Sequence, residues 1–293
     1  MIIKTVLKAI KPFRILSMLM TYLMAAGLVK YVRILKGWSL LIQGAFFLLL
    51  ITLSLEFLIL LQSLTLPVNR PQEIRQKDVK TIQIVLAAVA ATMLTLATTL
   101  FFSWLEAGIL WQGLVFLLIA LFVVSAVYYL AHFSTVFKPF VLLIEVLLFV
   151  VIPPALAFFL HSDDLHPYLT LIVISLVPAF LANRLLNLLE NYSYDQKHNT
   201  ETLIGRIGWE KVIFFHNAFI LLTYFLIALI AVLGVHWFII WPVFLTLPIG
   251  LVEIWLMDRV RRGAKPMWRV MRIASACVYF LPIYLIGFAF WAH

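Results

Sequence analysis

Hydrophobic and polar positions divide the chain into nine apolar runs joined by short polar segments. The runs cover roughly 13–32, 38–66, 81–104, 108–131, 139–160, 167–190, 210–233, 236–257 and 270–291. An α-helix rises 1.5 Å per residue, so about 20 apolar residues cross the hydrocarbon core of a bilayer. Each run therefore predicts one membrane span. The second exceeds what a bilayer requires and predicts a helix that tilts, bends or projects. The fold class is an all-α integral membrane protein with nine transmembrane helices, one domain covering 1–293. No short repeat or low-complexity segment interrupts it, but each half carries a long polar loop after an even-numbered helix.

Loop charge adds a direction. With the N-terminus cytoplasmic, one side collects Lys4, Lys8, Lys11 and Arg14, then Arg70, Arg75, Lys77 and Lys80. Lys138 follows, then three basic residues between 191 and 211 and six from Arg259 to Arg272. That makes eighteen cations against Lys30, Arg33 and Lys36 on the other side, with Arg184 left inside a span. Such asymmetry predicts a multi-pass protein of the cell (inner) membrane, N-terminus in the cytoplasm and C-terminus on the opposite side.

Composition agrees with the pattern. The chain has 293 residues, 65% hydrophobic and 12% charged, with mean hydropathy +1.08. A soluble domain of this length could not bury so much apolar surface. The net charge of +9 sits in loops between spans, so it points to anionic lipid headgroups and excludes nucleic acid as the expected partner. One cysteine, Cys277, rules out an intramolecular disulfide. The basic N-terminal segment leads into a full-length span, so no cleavable signal peptide is expected.

Candidate chemistry concentrates between Leu181 and Gly208. Asn183, Asn187, Asn191 and Asp195 recur every four residues and share one face of a helix. Lys197, Thr202, Leu203, Arg206 and Gly208 follow. The row is read either as a helix end emerging into water or as a site. In layout it resembles the second signature of the UbiA superfamily of membrane prenyltransferases: Asn, Asp-x-x-x-Asp, a basic residue, then Thr-Leu before Arg-x-Gly. Asn187 fits the leading Asn, Asn191 stands in place of the first Asp, and Asp195 fits the second.

The resemblance implies a UbiA-like helical bundle that holds an isoprenoid diphosphate with Mg²⁺ between two Asp-rich motifs and transfers the prenyl group to an acceptor. It nominates Arg70, Lys138, Asn187, Asn191, Asp195 and Lys197 as substrate-binding, with Asp195 the one metal-ligand candidate. Lys138 comes from Tyr128-Tyr129 and Phe137-Lys138-Pro139, similar to the family's Tyr-to-Lys segment, and is equally an ordinary positive-inside loop lysine. The first motif departs from the family. Asn69-Arg70-Pro71 is present, but Phe57 and Leu61 stand where carboxylates belong, and Glu56 and Gln62 are out of register. The expectation is a prenyltransferase relative with impaired or absent diphosphate chemistry. The alternative is a catalytically silent subunit of a larger membrane complex that binds a lipid, quinone or pigment.

The remaining polar residues have simpler expectations. Glu56, Glu145 and Glu253 are intramembrane carboxylates facing the bundle interior with unnamed partners; His216-Asn217 is expected to bond between helices. Asp163-Asp164 reads as a solvated turn, and Trp38, Trp104, Trp237, Trp241 and Trp268 as interfacial belts. There is no Gly-rich phosphate loop, zinc motif or nucleophile elbow. Paired discontinuous helices, which would suggest a transporter, are not marked. The loops 67–80 and 191–211 are expected on one side of the membrane, above one cavity faced by the Asn row.

Overall fold

The computed structural model describes residues 11–65, 79–109, 111–134, 140–197, 205 and 207–293, except for the side chains of 193–197. Among these residues are nine helices long and apolar enough to cross a membrane, and no strand. They are α1 (Pro12–Tyr31), α2 (Trp38–Thr65), α3 (Val79–Glu106), α4 (Gln112–Ala131), α5 (Val141–Phe159), α6 (Pro167–Lys197), α7 (Trp209–Val232), α8 (Trp237–Arg261) and α9 (Trp268–Ala292). Helix α6 continues past the last apolar residues that suggested its end, because nothing in the Asn row breaks a helix.

Local chemistry explains several ends. Pro12 opens α1 where its missing N–H costs nothing. Helix α8 closes with Arg259 and Arg261 in its last turn, where cations meet the unpaired carbonyls. Gly263 then turns the chain at φ 91°, a conformation that lets its N–H reach the Val260 carbonyl and the Ala264 N–H reach Arg259.

Helix α5 is irregular. Residues Leu147–Val151 form a π-helical stretch followed by Pro153 and Pro154. Neither proline has an N–H, so the Phe149 carbonyl gets neither its i+4 nor its i+5 donor. Helix α1 supplies replacements: Thr21 Oγ1 donates at 3.2 Å and Ser17 Oγ at 3.4 Å. A defect in one helix thus fixes how its neighbour seats. In α8, Trp241–Thr246 tightens to a 3₁₀ helix, with Pro242 at its start.

Helix α1 packs on α5 and α9, α2 on α3, and α6 on α7 and α9, with α8 between α7 and α9. In the most apolar window of α5, 72% of residues are buried; in α3 the share is 17%, so α5 is central and α3 peripheral. Small residues permit the closest approaches. Gly44 of α2 lies where a Cβ would collide with Tyr22 of α1 and Leu160 beyond α5. Trp38, Trp237 and Trp241 are exposed near span ends, as an aromatic belt requires. Trp104 is not: it is buried, and its indole N–H donates to Gln43 Oε1 at 2.9 Å across the α2–α3 interface.

Candidate functional site

The polar centre of the bundle is built on Arg14, in the first turn of α1 and only 2% exposed. Its Nη1 donates to Glu56 Oε1 of α2 at 2.9 Å, and its Nη2 to Glu145 Oε1 of α5 at 2.5 Å. Arg184 of α6 grips Glu145 from the other side, Nε to Oε2 at 2.6 Å and Nη2 to Oε1 at 3.0 Å. Tyr128 of α4 donates to Glu56 Oε1 at 3.4 Å, and the Arg14 guanidinium lies 5.3 Å from its ring centroid. Two guanidinium groups therefore meet two carboxylates, joining four helices, with a tyrosine from a fifth. Charges this far from water need close partners, and bidentate geometry at Glu145 is the strong form of that pairing. Just beyond α4, burial lowers His132 below the usual histidine range, partly offset by its Nδ1 contact with the Tyr128 carbonyl.

The expected inward carboxylates thus acquire names for their partners. Glu253, completely buried, receives His216 Nε2 at 3.0 Å between α8 and α7, and Asn217 Oδ1 lies 3.0 Å from His216 Nδ1. Glu253 Oε2 has no hydrogen-bond partner among the described residues. Asp163 and Asp164 are exposed in the turn after α5, as expected of a solvated pair.

Sequence reasoning misplaced Arg14 by counting it with the loop cations. The signal was present: Arg14, Ser17 and Thr21 lie three or four apart, a polar stripe beside Met18 on one face of an apolar run. All four are buried.

The Asn row occupies the face of α6 next to Arg184. Asn183 is buried and donates to Ser275 Oγ of α9 at 3.1 Å. Asn187 Nδ2 donates to the Asn183 carbonyl at 2.8 Å, and Asn191 Nδ2 to the Asn187 carbonyl at 2.9 Å. Asn187 is half-buried and Asn191 exposed, so the row descends from the helix end toward the charged centre. Arg70 and Lys138 lie outside the described residues, as do the side chains of Asp195 and Lys197.

The metal implied by the family resemblance can be tested on the described donors. Mg²⁺ wants several hard oxygens in near-octahedral array. Here Glu145 has both oxygens engaged by guanidinium groups, and Glu56 Oε1 accepts from Arg14 and Tyr128. Among the described residues no three His, Cys, Asp or Glu side chains come together. Phe57 and Leu61 pack with α3. The donors that the structure describes do not fit a magnesium site.

Beside this centre, α2, α3 and α4 line an open apolar cavity of about 740 Å³. Phe47, Ile51, Leu94, Phe101, Leu118 and Phe122 are among its walls. Its polar lining residues are Ser54, Thr98, Ser125 and Tyr129. Tyr129 donates to Gln62 Oε1 at 2.5 Å and Ser54 to the Ala90 carbonyl at 3.3 Å. The buried Ser125 hydroxyl has no hydrogen-bond partner among the described residues. No protein-family model matches the chain, and no curated protein matches its sequence.

Proposed function

We propose that this protein is a UbiA-like membrane bundle that binds an isoprenoid, quinone or similar long-chain lipid and does not carry out metal-assisted prenyl transfer. The α2–α3–α4 cavity carries the reading. Its walls suit an apolar chain, and the Ser125 and Tyr129 side chains among them supply a polar edge for one polar group at the chain's head. The state of the interior carboxylates supports the second half. Departure of diphosphate needs cations aimed at the leaving group, and those carboxylates would have to release arginines before gripping a metal.

Such a protein could serve alone or as the lipid-, quinone- or pigment-binding subunit of a larger membrane complex. A residual transferase, using Asp195 and the loop cations, is the second reading and rests on the α6 signature. One experiment separates them. Protein purified in mild detergent is extracted for bound lipids, then incubated with labelled prenyl diphosphates, aromatic acceptors and Mg²⁺. The expected result is a co-purifying isoprenoid or quinone, reduced by Ser125→Leu, and no product above a boiled control. Magnesium-dependent turnover abolished in Asp195→Ala overturns the proposal in favour of the enzyme.

A further inference from the structure

At the loop end of the other half of the bundle, α6, α7, α8 and α9 surround a cavity of about 340 Å³. Tyr192, Trp209 and Trp268 give it three aromatic walls, Ile213 and Met257 lie on the side toward the apolar interior, and Glu190 contributes a carboxylate. The chain from the end of α8 into the start of α9 is basic, with Arg259, Arg261, Arg262, Lys265, Arg269 and Arg272. Arg261 and Arg262 are taken by Asp258. Among the described residues Glu190 pairs with Arg272, at 3.6 Å from Nε to Oε2, longer than a hydrogen bond. Both side chains keep solvent access, Glu190 24% and Arg272 51%.

We propose that this cavity binds the headgroup of a zwitterionic aminophospholipid, with the ammonium inside and the phosphate at the rim. An ammonium gains from aromatic faces and from a carboxylate at the same time. The guanidinium of Arg272, directly beside Glu190, is placed for the phosphate that lies a few bonds from that ammonium. The loose Glu190–Arg272 contact is thus a pair of opposite charges able to accept a pair of opposite charges. An anionic headgroup without an amine would meet Arg272 but also the Glu190 carboxylate, and would leave the aromatic walls without a cation.

The location fits a membrane lipid. The cavity lies at four helix ends, with Trp209 and Trp268 at the first residues of α7 and α9, the span ends where tryptophans favour headgroups. Its volume admits a headgroup, while the acyl chains can follow exposed apolar side chains such as Phe214 and Ile273. This site shares no helix with the α2–α3–α4 cavity, so it stands or falls separately from the lipid proposed there.

Native mass spectrometry of the full chain in detergent, titrated with phosphatidylethanolamine or phosphatidylglycerol, tests it. The expected preference for phosphatidylethanolamine is about tenfold or more. Glu190→Gln should remove most of that preference by weakening the ethanolamine lipid about five- to tenfold while leaving phosphatidylglycerol unchanged or tighter. Arg272→Gln should weaken both lipids, and Trp268→Leu the ethanolamine lipid. Thermal unfolding of each variant within the parent range excludes misfolding as the cause. Equal or tighter phosphatidylglycerol binding, or an unchanged preference in Glu190→Gln, overturns the proposal. Glycerophosphoethanolamine binding as tightly as the intact lipid would also overturn it, by assigning the cavity to a soluble amine.

Discussion

Glu145 is the residue on which the charged centre depends, because among the described residues it is the carboxylate that contacts both arginines. Replacing it with Gln leaves the buried Arg14 with Glu56 as its carboxylate and takes from the half-buried Arg184 the carboxylate it grips. Breaking a buried pair in this way costs about 3–5 kcal/mol. Equilibrium unfolding in mixed micelles should show a loss of that size for Glu145→Gln. Adding Arg184→Met removes one surplus charge, and the double variant should recover a large part of the loss, an interaction energy that a merely steric role would not produce. If the two substitutions simply add, the centre is not held by charge. These residues also mark where sequence reading succeeded and failed. Glu56, Glu145 and Glu253 were legible as inward-facing groups, because carboxylates inside apolar runs have few alternatives. Their partners were not, because Arg14 and Glu145 are 131 positions apart and only packing joins them.

At the scale of elements, the helix count was legible because hydropathy is a local sum over about 20 residues. The π-helical stretch of α5 was not. Pro153-Pro154 announces a disturbed helix, but the disturbance is tolerated here because hydroxyls on α1 reach the orphaned carbonyl. The same seam between α1, α2 and α5 gives a test of packing. Gly44→Ala places a methyl group against Tyr22 and Leu160, whereas Gly37→Ala meets nothing within 4 Å. Overpacking of a fitted interface costs about 1–3 kcal/mol, so Gly44→Ala should lower the thermal midpoint clearly. Gly37→Ala should leave it nearly unchanged. Equal midpoints for both would mean that α2 can shift away from α1 at little cost.

For the whole molecule, the positive-inside rule makes a prediction that labelling can check. With Cys277 replaced by Ser, single cysteines at Gln72 and Gln196 should both react with an impermeant maleimide from the cytoplasmic side and neither from the opposite side. Reaction from opposite sides would break the nine-span topology. The candidate site was legible in part, through its carboxylates Glu56 and Glu145. The Asn row was read correctly as one helical face, but the paired arginines that neutralise the nearby carboxylates could not be seen in spacing. That neutralisation has an electrical consequence. A single charge displaced through a 100 mV membrane potential exchanges about 2.3 kcal/mol with the field. In the centre formed by Arg14, Arg184, Glu56 and Glu145, positive and negative groups lie within hydrogen-bond reach of one another. If these helices shift together, the work on one sign cancels the work on the other, so this centre gives the membrane voltage no lever on the protein's conformation.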